Sequence, residues 1–233
     1  MERHTTGCLI CGQELKYFEQ VKSLPCGICG QHFETAAACE DGHFVCDACH
    51  GKAGDESITD LALAGSSKNP LAIASEMMKN KSINMHGPEH HYLVVAALLS
   101  SYKNSGGDID LKKSLAKARE RTGKVPGGIC GLWGCCGAGV GSGIFISLIT
   151  GATPLSVDPW QKANQMTARS LQAIARHGGP RCCKRDTYLA ILTAVDFVRE
   201  HFQIEMEKPE TIRCAFFSNN PSCKKTACLF YFQ

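Results

Sequence analysis

YLAILTAVDFVREHF, residues 188–202, sets Tyr188, Ile191, Leu192, Val195, Val198 and Phe202 at helical spacing. A half-buried strand would alternate apolar and polar side chains, whereas this pattern lines one stripe of a helix. The stretch commits the C-terminal part of the chain to helix and places that stripe in a core. Just upstream, GGPRCCKRD (178–186) breaks the chain at Gly178-Gly179 and restarts it at Pro180, so the helix begins there or a few residues later. The preceding run, WQKANQMTARSLQAIARH, is opened by Asp158 and Pro159 and stopped by the two glycines.

The same punctuation recurs toward the N-terminus. Asn69 and Pro70 have cap and first-turn character before LAIASEMMKN, Pro88 opens EHHYLVVAALLSSYKN, and Asp110 caps the charged, surface-lying LKKSLAKARERT. In GAGVGSG the pairs Gly137/Gly141 and Gly139/Gly143 fall four apart, which lets a neighbouring helix approach closely. These glycines do not spell G-x-G-x-x-G, no strand precedes them and no P-loop lysine follows, so a nucleotide reading is declined. Beyond Pro209 the periodicity fades and cysteines return, in a tail that wraps back on the body. The expected fold is mainly α: a helical body domain with a small N-terminal zinc-ribbon or cross-brace-like module. The division is 1–54 for the module, 55–69 for a linker ending in GSSKN, and 70–233 for the body with its cysteine-rich tail.

Seven of the fifteen cysteines precede residue 50, and the next is Cys130. Two thiolates two residues apart, followed by glycine, form a knuckle that offers both sulfurs to one tetrahedral ion. Cys8, Cys11, Cys26 and Cys29 make C-x2-C-x14-C-x2-C, and Cys39, His43, Cys46 and Cys49 follow as C-x3-H-x2-C-x2-C. Eight ligands suit two zinc ions, in two consecutive sites or an interleaved cross-brace that pairs Cys8 and Cys11 with Cys39 and His43. GHFVCDAC resembles a half-site of RING-like and B-box-like zinc modules. CDACH also matches the haem-attachment pattern, but among so many knuckles His50 reads as a solvent-facing or supporting histidine.

The formal charge of +3 counts neutral thiols. An ion on four thiolates adds about −2 and one on three thiolates and a histidine about −1, so two such sites cancel the surplus. With no run of five basic residues, the composition offers no case for nucleic acid. The N-terminus MERHTTGCLICG lacks the basic and apolar stretches of a secretory leader, and the longest apolar stretches fall far short of a bilayer span. The expectation is a soluble cytoplasmic protein whose cysteines serve metal or chemistry.

Three stretches of the body concentrate chemistry: MHGPEHH (85–91), PGGICGLWGCCGAG (126–139) and GGPRCCKRD. Glycines around Cys130 and Cys136 let the backbone crowd a bound iron–sulfur cluster and point N–H groups at it. Cys182 and Cys183 stand at a helix start among Arg181, Lys184 and Arg185, which favours thiolate. Neighbours on a helix point about 100° apart, so one ion does not easily take both sulfurs. Cys183, whose row continues through Ala190 and Ala194, is the chosen ligand, and Cys182 is left to react. A disulfide between the two would be strained. In MHGPEHH, His86 and His90 stand four apart with Glu89 between them, a set able to bind metal or act as acid and base. Cys214, Cys223 and Cys228 form C-x8-C-x4-C, and with one thiolate from the body they would complete a four-cysteine cluster.

Across residues 70–233 the chain resembles an uncharacterised prokaryotic domain family of anaerobes. The resemblance rests on the PGG-x-C-G-x-x-G-x-C-G-A block at 126–138, the G-x-F-x-S-x-x-T-G-A-T-P-L block at 143–155 and GGPRCCKR at 178–185. That block requires cysteine at Cys136 but not at Cys135, and the family brings no activity with it. Shorter segments resemble iron–sulfur serine dehydratases and cysteine desulfidases. This second likeness implies His90 or Glu89 as acid/base and Arg181 or Arg185 as carboxylate binder. The leading expectation is therefore a [4Fe-4S] enzyme with its cluster near Cys130, Cys136 and Cys183. It would act as a Lewis-acid lyase or sulfur-transfer enzyme on a small molecule, with the zinc module available to a protein partner. Two alternatives stay open: a metal- or redox-responsive binding module without catalysis, and a carrier step with Cys182 as nucleophile.

Overall fold

A computed structural model describes residues 7–232; residues 1–6, part of the segment read above as lacking a leader, lie outside the described residues. Strand β1 (Leu15–Pro25) pairs antiparallel with β2 (His32–Cys39), with a register irregularity between Tyr17 and Lys22. Each end of β1 carries a knuckle. At Cys8–Gln13 and Cys26–Gln31 the amide of the first cysteine reaches a carbonyl five residues on, at 2.8 Å in both. Gly12 and Gly30 close these turns at φ of +78° and +73°, a region open to glycine at little cost.

Helix α1 (Asp47–Ala64) grows directly out of the last knuckle, with Cys46 at its N-cap and Cys49 in its first turn. The interval 55–69 is therefore helix as far as Ala64, and only Gly65–Asn69 form a connection. Metal-ligand spacing hides the helix start, because C-x2-C is compatible with a first turn. Buried Gly51, Gly54, Ile58 and Ala62 face the body, so head and body share this element.

The body is mainly α. After α2 (Pro70–Lys79), α3 (Glu89–Asn104) is buried on all sides from Tyr92 to Tyr102 and forms the centre of the core. Its Ser100 and Ser101 donate to the carbonyls of Ala62 and Lys68 at 2.9 and 2.6 Å, so the buried hydroxyls are satisfied. Against it pack α1, α2, α4 (Leu111–Thr122), α6 (Gly137–Thr150) and α8 (Cys183–Phe202), while α7 (Asp158–Arg176) lies outside on α6 and α8, and one short turn of helix, α5 (Ile129–Leu132), sits in the glycine-rich segment. The expected caps are present: Asn69 Oδ1 accepts from the amides of Leu71 and Ala72, and Asp110 Oδ1 from that of Lys113. Tyr188, Ile191, Val195 and Val198 are buried as their spacing requires. Among the described residues no helix is long and apolar enough to cross a membrane.

Candidate functional site

Two quartets in the head each bring their donor atoms within 4.8 Å of one another: Cys8, Cys11, Cys39 and His43, and Cys26, Cys29, Cys46 and Cys49. The quartets are interleaved along the chain, and the geometry does not bring Cys8 and Cys11 together with Cys26 and Cys29. The reason lies in the hairpin: β1 pairs end to end with the 8 residues of β2, which at roughly 3.3 Å each hold the first two knuckles more than about 20 Å apart. Cys8 and Cys11 instead meet the end of β2 and the turn after it. Sulfur separations of 3.7 Å for Cys11–Cys39 and 4.0 Å for Cys29–Cys46 approach the ~3.8 Å expected of a tetrahedral ion with metal–sulfur bonds of about 2.3 Å. Backbone amides of Ile10, His43 and Cys46 donate to the sulfurs of Cys8, Cys39 and Cys26 at 3.3–3.4 Å.

These quartets could hold metal ions. Burial opposes ionisation of Cys26, but the amides of Cys29, Cys46 and Ile28 outweigh it and bring the thiol down to about 6. Burial and the neighbouring sulfurs push Cys49 up to about 12. Four thiols this close do not all ionise without a cation among them. No disulfide joins the fifteen cysteines.

In the body, a cleft of about 630 Å³ is lined by Cys130, Cys136, Arg181, Arg185, Asp186 and, from the head, Tyr17. Cys136 N-caps α6, where the amides of Ala138 and Gly139 reach its sulfur, and Cys183 opens α8 with the amide of Gly87 directed at it. Burial pushes Cys136 and Cys183 up to about 12, and it also raises Cys182 against the amide and charge of Arg185. Without a bound ion, desolvation thus opposes the thiolates expected at Cys182 and Cys183 and outweighs the local cations. Asp186, overlooked in the sequence, is the carboxylate of this site. It accepts from Arg185 Nε at 3.0 Å and lies 3.9 Å from Cys136 Sγ, with its ionisation opposed by burial. Arg185 is committed to Asp186 and to the carbonyl of Pro180 at 3.1 Å, whereas exposed Arg181 stands over the Tyr17 ring.

Glu89 and His90 do not line the cleft. Both are buried with Asn84: Glu89 Oε1 accepts from the Asn84 amide and side chain at 2.9 and 3.1 Å, and His90 Nδ1 donates to the carbonyl of Gly87. Burial would raise Glu89, but His50, 3.4 Å away on α1, offsets it and the carboxyl falls to about 2. Burial lowers His90 to about 3 and keeps it neutral. These groups tie the head helix to α3. Cys182 also lies off the cleft and, with Cys214, Cys223 and Cys228, lines a separate cavity of about 20 Å³. Of the six expected cluster ligands of the body, Cys130 and Cys136 thus line the cleft and Cys214, Cys223 and Cys228 the separate cavity, while Cys183 lines neither.

Residues 58–231 match the model of a family of unknown function, DUF5714. No curated protein and no solved structure matches the chain.

Proposed function

This chain belongs to the family of unknown function DUF5714, and we propose that it is a metal-dependent enzyme acting on a small carboxylate-bearing molecule in the cleft. The observation that carries this reading is the convergence of Cys130, Cys136, Asp186 and Arg181 on one cleft of about 630 Å³. Zinc at the two head quartets would be structural, because four protein ligands leave no open position. Cys130, Cys136 and Cys183 would hold an iron–sulfur cluster. The fit is supported by glycines on both sides of Cys130, by N–H groups directed at Cys136 and Cys183, and by thiols that have few other partners for their sulfur lone pairs. When bound, a cluster with one iron free of protein ligand supplies a Lewis acid toward a hydroxyl or thiol.

The chain's own residues perform the rest. Arg181 offers a planar guanidinium, steadied by Tyr17, to a substrate carboxylate. Asp186 exchanges a proton at Oδ2, its protonated form favoured by burial. Arg185 positions that carboxylate through Oδ1. In an elimination, the ionised form of Asp186 would take the proton from the carbon beside the leaving group, the electrons of that C–H bond would form the new double bond, and the leaving group would depart with the electrons of its own bond. Anaerobic purification followed by iron, zinc and sulfide analysis tests this reading. The expected result is about two zincs per chain together with iron and sulfide. Cys136→Ser should lower the iron and sulfide and leave the zinc, whereas a Cys136→Ser protein with unchanged iron would refute the cluster at the cleft.

Exposed Val21 and Ile28 on the hairpin favour a second reading, in which the head docks a protein partner and the body responds to metal or redox state without catalysis.

A further inference from the structure

Cys182 caps α8 and faces the cavity of about 20 Å³ whose wall holds Cys214, Cys223 and Cys228. The tail reaches this place through its own pairing. The amide of Cys214 donates to the carbonyl of Phe230 at 2.7 Å, closing the loop, and the Phe230 ring packs edge-on against Tyr188 of α8, with centroids 5.3 Å apart.

Three further features mark a ligand set. The amide two residues after Cys214 donates to its sulfur at 3.4 Å, and the amide two residues after Cys223 donates to its sulfur at 3.3 Å. This is the arrangement at Cys8, where the Ile10 amide lies 3.4 Å from the sulfur. Asn220, buried, directs Nδ2 at Cys182 Sγ from 3.7 Å while its Oδ1 faces His86 Nε2 at 3.4 Å. Lys184, 1% exposed, donates to a backbone carbonyl, that of Asn84, and lies over the Phe216 ring that helps line the cavity. A buried ammonium is costly unless negative charge is near; Glu89 supplies part of it, and a centre of four thiolates would add to it.

Spacing separates this group from the head. No three of these four sulfurs lie within 4.8 Å of one another, as the head donors do. A single ion with bonds of about 2.3 Å needs sulfurs about 3.8 Å apart, whereas a four-iron cube with one cysteine per iron needs a wider frame. We infer that Cys182, Cys214, Cys223 and Cys228 bind a [4Fe-4S] cluster in closed coordination, apart from the cleft. Each thiol releases its proton as its sulfur–iron bond forms, and with four protein thiolates no iron remains for substrate. Cys182 is then a ligand and not a nucleophile.

The test is iron, sulfide and zinc analysis of the full chain purified anaerobically, as wild type, Cys223→Ser, Cys228→Ser and Cys136→Ser. Each tail variant should lose about four irons and four sulfides per chain and keep its zinc and helical circular dichroism. In native wild type, alkylation mapped by mass spectrometry should spare the four cysteines and label them once iron is chelated; this second measurement stands if a variant fails to fold. Unchanged iron in both tail variants, free labelling in the native protein, or zinc in place of iron at these cysteines would overturn the inference. If Cys136→Ser alone removes the iron, the tail cluster fails and the cleft reading survives. If only the tail variants remove it, the cleft cluster fails and this one survives.

Discussion

Asp55 lies in α1 with its carboxylate 3.6 Å from Arg119 Nε, yet burial and the charge of Glu89 outweigh that partner and raise it to about 6. The folded protein holds this proton more tightly than the unfolded chain, so stability from this group is full below the ordinary carboxylate range. It is lost as pH rises from about 4 through 6. Asp55→Asn should remove that loss: between pH 4 and 7 the variant's unfolding free energy should fall less than that of wild type, by on the order of 1 kcal/mol after solvent screening. Denaturant melts at the two pH values check it. The same contest explains what the sequence could reveal at single residues. The head ligands are legible because a knuckle is local, four residues and a glycine. The ionisation of Cys182 and Cys183 is not, since the adjacent arginines and lysine are visible in the chain while the burial that overrules them comes from distant elements. Asp186 was hidden for that reason too: next to Arg185 it reads as an ordinary surface acid.

At the scale of elements, α6 lies so close to α7 that a Cβ on Gly143 would run into Thr167 Oγ1 and meet the carbonyl oxygen of Ala163 at 3.0 Å. Thr167 can turn aside, but the backbone cannot. Replacing a helical glycine by alanine gains about 1 kcal/mol in propensity, while overpacking costs about 1–3 kcal/mol. Gly143→Ala should therefore lose about 1 kcal/mol net, read as a lower melting temperature, whereas Gly131→Ala, with open space around it, should not. This packing was legible from the glycine spacing, as were the helix starts at Asn69 and Asp110, because both signals are local. The start of α1 was not legible, because its first turn doubles as a metal-ligand knuckle.

For the whole molecule, α1 is the joint. Cys49 in its first turn belongs to the second quartet, Asp47 Oδ2 accepts from the Gly127 amide at 2.7 Å beside the cleft, and His50 meets buried Glu89. Losing a ligand at either end of the hairpin should thus have unequal reach. Cys39→Ser should cost one bound ion and raise hydrogen exchange around residues 8–13 and 39–43 only. Cys49→Ser should spread faster exchange into α1 and the segment near Gly127. Equal, confined effects in both variants would show that the head is mechanically independent of the body.

Interleaved quartets constrain the order in which the chain can close as it is made. A chain emerging from the ribosome presents Cys8, Cys11, Cys26 and Cys29 before Cys39, His43, Cys46 and Cys49 exist outside the tunnel. The first complete set of four thiols is therefore the wrong one. Correct closure links Cys11 to Cys39 across 28 residues and Cys29 to Cys46 across 17. A strand of 11 residues between the first two knuckles, once straightened by pairing with β2, withdraws the early quartet from reach. Pairing of the hairpin thus separates the early quartet and brings together the two interleaved ones.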